Sequence, residues 1–197
     1  MKTRYCEKDF INRIRNILSS RQRKLIEHPP FSHAAVLVPL FKKGEDCYLL
    51  FTKRSDQVKY HKGEISFPGG VVDEEDSELI STALREAFEE IGLKENDVQI
   101  IGILDDIVTI TEFIVTPIVG LFPYPYLFKV SEVEIAELIE VPLSFLLDEN
   151  CFSEREIIRG GRKEVVYAYQ YEKHIIWGAT ARILKQFLDL ITSSRST

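Results

Sequence analysis

Cysteine and long apolar runs are both scarce in this 197-residue sequence. Its three cysteines, Cys6, Cys47 and Cys151, are far apart, and no CxxC pair occurs. No disulfide framework or cysteine zinc site is visible in that spacing, so we expect free thiols in a reducing compartment. A run of about 18 apolar residues is absent, and the opening MKTRYCEKDF has no apolar signal core. We therefore expect a cytoplasmic protein with no membrane partner.

Basic residues are also in deficit, because 25 lysines and arginines face 31 aspartates and glutamates, for a net charge of -6. This balance argues against a nucleic-acid partner, and an anionic substrate then needs local basic residues or a cation. Repeats, low-complexity tracts and linkers are absent. The length and the 45% of hydrophobic residues suit one globular domain with a sizeable core. We divide the chain into an N-terminal helical extension, residues 1–30, and one domain, residues 31–193.

Hydrophobic periodicity predicts a mixture of helices and strands. Residues 8–27 have the pattern of an amphipathic helix, and the apolar runs 34–41 and 47–52 around KKGED predict a hairpin. The remaining predicted elements are strands at 98–104, 106–110 and 113–122, a short helix at 131–140, a hairpin at 156–171 turning at Gly160-Gly161, and a closing helix at 178–191. Together they predict an α+β fold with a mixed sheet flanked by helices.

The stretch GGVVDEEDSELISTALREAFEEIG concentrates negative charge in the middle of the chain. It predicts a helix over 77–91, with Asp76 or Ser77 as N-cap and Gly92 just after its end. The preceding FPGG is a proline-stiffened turn whose glycines allow the backbone to approach a ligand or metal closely. The turn and the helix together form one candidate site.

Glu86, Glu89 and Glu90 stand at i, i+3 and i+4 of the predicted helix, so their Cβ atoms lie within ~6 Å of one another. Three carboxylates this close cannot all stay ionised without a compensating cation. Oxygen ligands favour Mg2+ or Mn2+ over zinc. Arg85 adjoins the cluster and is able to hold one carboxylate by a bidentate pair. The alternative interpretation is a solvated acidic helix face.

The same segment resembles the Nudix box, whose pattern is Gly, five residues, Glu, seven residues, Arg-Glu, apolar, any, Glu-Glu, any, Gly, apolar. Gly70 matches the first glycine, and REAFEEIGL, residues 85–93, matches the whole second half. The resemblance implies a Nudix-type α/β/α sandwich and a hydrolase of nucleoside diphosphates linked to another moiety, using Mg2+ or Mn2+. It also implies a set of metal-binding and orienting groups: Glu86, Glu89, Glu90, the carbonyl of Gly69, and Arg85.

The box in this sequence contains one extra residue. Fourteen residues separate Gly70 from Arg85, where the family pattern has thirteen. Counting forward from Gly70 places the isolated middle acid at Asp76, and counting back from Arg85 places Ser77 there. We favour Asp76 and leave its role open.

The upstream stretch LFTKRSDQVKYHKGEISFPGG resembles the signature of the coenzyme A pyrophosphatase branch: Leu-Leu-Thr-x-Arg-Ser, three residues, Arg, three residues, Gly, three residues, Phe-Pro-Gly-Gly. The matching positions are Leu50, Thr52, Arg54, Ser55, Gly63, Phe67, Pro68, Gly69 and Gly70. Phe51 replaces a leucine, and Lys59 replaces the second arginine. The branch also tolerates the extra residue in the box. The resemblance implies hydrolysis of coenzyme A to 4′-phosphopantetheine and 3′,5′-ADP.

Coenzyme A carries a diphosphate and a 3′-phosphate, so a site for it needs cations. The predicted substrate contacts come from the densest basic stretch near the box and from the glycine turn: Arg54, Lys53, Lys59, His61 and Gly70. Arg54 is favoured because its planar fork suits phosphate, whereas Lys59 offers only a point charge to the 3′-phosphate. The alternative for the lysines and the histidine is a surface role.

The identity of the general base and the choice of substrate stay open. Glu89, Glu64 and a glutamate of residues 131–140 are the candidates for the base, with Glu137 ahead of Glu134 by similarity to the second acid of the family. The competing functions are a Nudix hydrolase of ADP-ribose, a dinucleotide or a damaged nucleoside triphosphate, and a non-catalytic nucleotide sensor. A homodimer is compatible with the sequence, which leaves the oligomeric state open.

Overall fold

A mixed eight-stranded sheet stands at the centre of the fold. The structure is a computed structural model and describes residues 8–28, 30–159 and 162–193. The strands of this sheet are β1 (Ser32–Lys43), β2 (Asp46–Arg54), β3 (Ile65–Ser66), β4 (Gly69–Val71), β5 (Gln99–Ile103), β6 (Ile107–Val108), β7 (Phe113–Leu121) and β8 (Ile135–Pro142). Their order is β3-β2-β1-β7-β5, with β4 beside β1, β6 beside β7 and β8 beside β2. The β1–β7 pair is parallel, and β1 pairs antiparallel with β2 and β4.

Helices cover both faces of the sheet, and a small second sheet adds to one of them. The helices are α1 (Lys8–Ser20), α2 (Leu79–Ile91), α3 (Leu143–Leu146) and α4 (Gly178–Ser193). The second sheet consists of β9 (Phe152–Arg159), β10 (Arg162–Tyr171) and β11 (His174–Trp177). Helix α2 packs on one face of the central sheet, and α1, α4 and the second sheet pack on the other. The predicted α+β class and the α/β/α sandwich with a mixed central sheet are confirmed.

Strand β2 divides its side chains between the two cores. Leu49 and Phe51 are buried with α1 and α4, and Leu50 is buried with α2. Successive side chains of a strand point to opposite faces, so Lys53 belongs to the α4 side and Arg54 to the α2 side. Two adjacent basic residues are thereby assigned to different faces of the sheet.

The helix predicted over 131–140 is wrong. Most of that segment forms strand β8, which pairs antiparallel with β2. Ile139 and Val141 are buried in the core that contains α4, opposite Phe51 and Leu49 of β2. Pairing with β2 and this burial outweigh the helical preference of the glutamates and the alanine in the segment.

The other predicted elements are present with shifted ends. The helix predicted at 8–27 ends at Ser20, and the helix predicted from residue 77 begins at Leu79. The predicted hairpin at 156–171 corresponds to β9 and β10, and its turn at Gly160-Gly161 lies outside the described residues. Strand β11 was not predicted, because its four residues are too short to show a period.

Residues 8–28 pack against the rest of the described chain. Helix α1 contributes its apolar side to the core that contains α4. The guanidinium groups of Arg21 and Arg23 then bond the carboxylates of Asp105 and Asp106. The division into an extension and a domain stays a prediction, and the described part of the extension shares a core with the domain.

The structure bears on two expectations from the sequence, namely free thiols and the lack of a membrane-spanning segment. Cys151 is a buried free thiol, as expected. The expectation of free thiols is wrong for Cys47, which is disulfide-bonded in the structure. None of the helices in the described ranges has the length and apolarity that crossing a membrane requires.

Candidate active site

Helix α2 presents its glutamates beside strand β4. Ala83, Ala87 and Ile91 are buried on its apolar side against the core that contains Leu37. The helix ends at Ile91 and is capped by Gly92, which has a left-handed φ of 70°. Glycine adopts this conformation with little loss of stability. Burial of the apolar side fixes the rotation of the helix, and the acidic side is left at the rim of the sheet.

The start of α2 differs from the predicted cap. The N-cap residue is Glu78, whose side chain makes no capping hydrogen bond, so neither Asp76 nor Ser77 has that role. Asp76 Oδ2 instead accepts hydrogen bonds from the backbone N–H of Asp73 at 2.8 Å and from Oγ1 of Thr82 at 2.9 Å. The carboxylate of Asp76 thus ties the loop before the helix to its first turn.

Two glycines bring β4 into contact with this helix. Gly69 and Gly70 pair with Val36 and Ala35 of β1. A Cβ atom at Gly70 would lie 2.3 Å from Oε1 of Glu86, and one at Gly69 would lie 2.4 Å from the carbonyl oxygen of Ala35. Only glycine allows the strand this close to both the helix and the sheet.

Arg85 links the loop, the strand and the helix. Its Nε and Nη2 donate to the two carboxylate oxygens of Asp76 at 3.0 and 2.9 Å. Its Nη1 donates to Glu86 at 2.9 Å, and its Nη2 donates to the carbonyl of Val71 at 3.1 Å. Nη1 also lies 3.4 Å from Glu89. The bidentate contact with Arg85 holds the pKa of Asp76 well below its usual range.

The contact between Asp76 and Arg85 distinguishes the two ways of counting the box. The Oγ of Ser77 lies 3.0 Å from the Oγ of Ser81 on the next turn. Counting forward from Gly70 therefore agrees with the geometry, and the extra residue falls between Asp76 and Arg85.

Glu90 is the most buried of the three glutamates. Its side chain is 3% exposed, against 18% for Glu86 and 53% for Glu89. Burial raises the pKa of Glu90 to about 8 against the lowering effect of Arg54, and the charges of Glu86 and Glu134 add to the rise. Oε2 of Glu90 is buried without a hydrogen-bond partner. The site is therefore short of positive charge.

The composition of the cluster fits a hard divalent cation. All the groups that could coordinate an ion are oxygens, and Oε2 of Glu90 is buried without a hydrogen-bond partner. Because Gly70 has no Cβ, the carboxylate of Glu86 can lie directly against its backbone. In residues 8–28, 30–159 and 162–193, no three His, Cys, Asp or Glu side chains converge closely enough to enclose an ion. The groups that would hold one are those predicted, Glu86, Glu89, Glu90 and the carbonyl of Gly69, and their role stays a prediction.

Glu137, the favoured second acid, lies away from this cluster. It is opposite Lys53 in the β8–β2 ladder, which is the α4 side of the sheet. Its Oε1 lies 3.3 Å from Nε2 of His174 and 3.5 Å from Nζ of Lys173. His174 is buried, and no motif in the sequence marks it, because its contact depends on the placement of β11.

Glu134 lies on the side of the cluster instead. It stands just before β8, where its carbonyl accepts the backbone N–H of Ser55 at 2.7 Å, and its charge raises the pKa of Glu86 and Glu90. The structure thus brings Glu134, and not Glu137, to the side of the cluster, and the choice of general base stays a prediction. Residues three apart share one side of a helix, so the predicted helix placed the two glutamates together. In the structure, Glu134 precedes β8 and Glu137 lies within it, on the other side of an irregularity in the pairing with β2.

The predicted basic contacts are distributed over more than one place. Nη1 of Arg54 lies 3.7 Å from Oε1 of Glu90. Lys53 belongs to the opposite face of the sheet. Lys59 and His61 are exposed in the loop between β2 and β3. Nδ1 of His61 lies 3.0 Å from Oε2 of Glu64, so the third candidate base has a partner in the same loop.

Replacing Asp76 with asparagine is expected to lower the free energy of unfolding by about 1–3 kcal/mol at pH 7, because a charged bidentate pair is lost. A lowered pKa means that Asp76 stabilises the fold fully above its ordinary value of 3.8, and that this stabilisation is lost as the pH falls below that value. The difference between the Asp76→Asn variant and the wild type should shrink when urea unfolding is repeated at about pH 3. Ser77→Ala is the control and should match the wild type. An equal difference at both pH values would contradict this account.

Comparison with known proteins agrees with this geometry. The family model of the NUDIX domain matches residues 31–135. The chain is 39% identical over 183 residues to the uncharacterized Nudix hydrolase NudL of Photorhabdus laumondii, covering 93% of this chain and 96% of NudL. The NudL of Enterobacter sp. strain 638 is 37% identical over 178 residues, covering 90% and 91%.

A solved structure has the same fold. The NUDIX hydrolase from Alicyclobacillus acidocaldarius aligns with a TM-score of 0.51 and 18% identity, covering 84% of this chain and 95% of that one. The family model spans more than half of the chain, and the NudL relatives cover nearly all of it. The chain therefore belongs to the Nudix hydrolase family and is a pyrophosphatase of nucleoside diphosphate-linked compounds, in a family that generally needs divalent metal ions.

Proposed function

We propose that the protein hydrolyses the diphosphate of coenzyme A or one of its derivatives, with Mg2+ or Mn2+ as cofactor. Water adds to one phosphorus, the bridging P–O bond breaks, and the products are 4′-phosphopantetheine and 3′,5′-ADP. The proposal rests on the stretch from Leu50 to Gly70, which resembles the signature of the coenzyme A branch. Two residues of this stretch, Arg54 and Gly70, lie next to glutamates of α2.

The observation that carries the proposal is that this stretch and the box line one site. Arg54 lies 3.7 Å from Glu90 at one end of the stretch, and Gly70 touches Glu86 at the other. Between them, the Oγ1 of Thr52 donates to the carbonyl of Ser66 at 3.2 Å. The signature residues thus form a scaffold that can present a basic group to a diphosphate held at the glutamates.

The chemistry divides among residues of distinct position. Glu86, Glu89, Glu90 and the carbonyl of Gly69 would hold the divalent cation, which neutralises charge on the phosphate oxygens and lowers the pKa of a bound water. Arg85 is a positioning residue, because its donors are engaged by Asp76, Glu86 and Val71. As general base we propose Glu134 or Glu89, since both lie on the α2 side of the sheet, whereas Glu137 is opposite Lys53.

The decisive test is mass spectrometry of the products after incubation with Mg2+ or Mn2+. Coenzyme A, ADP-ribose, diadenosine compounds and oxidised nucleoside triphosphates are compared by kcat/KM. We expect 3′,5′-ADP and 4′-phosphopantetheine from coenzyme A, at the highest kcat/KM. A higher value for another substrate would assign a different Nudix activity, and the absence of 3′,5′-ADP after incubation with coenzyme A would refute the proposal.

Lys59 gives a prediction about recognition of the 3′-phosphate. Lys59→Arg restores the arginine of the signature and should raise the ratio of kcat/KM for coenzyme A over dephospho-coenzyme A by about three- to tenfold, because a guanidinium fork binds phosphate in two places. Lys59→Met should lower that ratio. The control is Lys42→Arg, an exposed lysine near the end of β1 far from Gly70. A ratio unchanged in both Lys59 variants would remove this residue from the substrate site.

A further inference from the structure

Arg54 and Glu90 form an incomplete ion pair. Nη1 of Arg54 lies 3.7 Å from Oε1 of Glu90, beyond the ~2.7–3.2 Å of an N–H···O hydrogen bond. Nε of Arg54 and Oε2 of Glu90 are both buried without a hydrogen-bond partner. Each group is close enough to compensate the charge of the other, and each keeps unused hydrogen-bonding capacity.

The surroundings of Arg54 allow its side chain to change partner while its backbone stays in place. Its backbone N–H donates to the carbonyl of Glu64 at 2.9 Å, and its carbonyl accepts the N–H of Gly63 at 3.1 Å. Its side chain is 27% exposed, whereas Glu90 is 3% exposed. A reorientation toward solvent therefore requires only rotamer changes of the arginine.

The second arginine of the site differs in this respect. Arg85 makes a bidentate contact with Asp76 and further hydrogen bonds to Glu86 and Val71. A guanidinium with that many partners is held in place. Arg54 is the arginine of this site with an uncommitted Nε.

We propose that Arg54 is an exchangeable counterion: it compensates Glu90 in the metal-free protein, gives up Glu90 to the divalent cation, and then binds the diphosphate of the substrate. This inference rests on the metal site of the proposed function. A cation at Glu90 removes the attraction that holds the guanidinium and adds a repulsion. The diphosphate offers the same guanidinium a bidentate partner. Metal and substrate therefore bind cooperatively, and the coupling is reciprocal.

The first test is calorimetric titration of Mn2+ into the substrate-free protein. Arg54→Met removes the competitor for Glu90 and should bind Mn2+ about tenfold more tightly, within the range usual for coupled sites. Lys53→Met is the matched control, since it removes the same charge one residue away on the opposite face, and should change the Kd less than about twofold. Arg54→Lys keeps the charge and should stay near the wild type. An unchanged Kd for Arg54→Met, or equal tightening by Lys53→Met, overturns the proposal.

The second test measures the coupling itself with ADP as probe. In the wild type, Mg2+ should tighten ADP binding, and in Arg54→Met this gain should be at least about threefold smaller. A gain equal to that of the wild type overturns the proposal. Circular dichroism and thermal unfolding establish that the variant is folded. ADP lacks the pantetheine arm, so a failure of coenzyme A hydrolysis would refute the proposed substrate without affecting either outcome here.

Discussion

Glu90→Gln is expected to lower Mg2+-dependent turnover by about 10³-fold or more, because a metal ligand and its charge carry most of such catalysis. The same change should raise the free energy of unfolding of the metal-free protein by about 1–2 kcal/mol. Glu90 is buried, one of its oxygens has no hydrogen-bond partner, and Arg54 at 3.7 Å compensates it only in part. Glutamine avoids the cost of burying or protonating this carboxyl group. Turnover and urea unfolding in EDTA measure the two effects.

Two other glutamates serve as comparisons. Glu89→Gln should also lose about 10³-fold in turnover, but its stability should stay unchanged because its side chain is 53% exposed. Glu95→Gln alters an exposed glutamate just beyond α2 and should leave both quantities near the wild type. Mg2+-dependent turnover of Glu90→Gln within tenfold of the wild type would mean that this residue is not a ligand.

The two glycines of β4 give the second large prediction, in which adjacent substitutions fail for different reasons. Gly69→Ala places a Cβ 2.4 Å from the backbone oxygen of Ala35, at a φ of 155°, and should cost about 2–5 kcal/mol of stability. Gly70→Ala meets only the carboxylate of Glu86, at 2.3 Å, which can rotate away. We expect Gly70→Ala to fold with a loss of stability below about 1 kcal/mol and to lose at least about 10²-fold in kcat/KM, because Glu86 is displaced.

Thermal unfolding and kcat/KM of the two variants, each compared with the wild type, separate these effects. Gly44→Ala is a control for the loss of a left-handed glycine, since it has a φ of 65° and nothing lies near its added Cβ. It should lose stability modestly and keep its activity. Full activity in Gly70→Ala would show that catalysis does not require Glu86 to lie against β4.

Local patterns were enough to find the candidate site. The i, i+3, i+4 spacing of Glu86, Glu89 and Glu90 holds on any helix that contains them, and Gly92 ends that helix in the expected conformation. The close approach of β4 to the helix is likewise encoded by adjacent residues, since Gly69 and Gly70 carry no Cβ and Gly69 adopts a φ of 155° that other residues rarely adopt. Such features need no knowledge of distant partners.

Long-range pairing explains what the sequence did not reveal. Residues 131–140 have the composition of a helix, but from residue 135 onward they form a strand, because β2 provides a partner and a core on its α4 side. That change moved Glu137 to the far side of the sheet, beside His174, and left Glu134 with the cluster. Single-sequence periodicity carries no information about which strand will be the neighbour.

By itself, the sequence determined the family and the acidic helix, because each is a matter of residue types at short spacing. The two glycines that were predicted to form a turn belong to strand β4, where they pair with β1. The tertiary structure decided which face of the sheet each residue occupies. In the tertiary structure Asp76 accepts a hydrogen bond from Arg85, and Arg54 lies beside Glu90. Lys53 lies on the opposite face of the sheet from Arg54. The physical reason is that a strand alternates its side chains between two cores, so one residue of difference in register determines which groups meet.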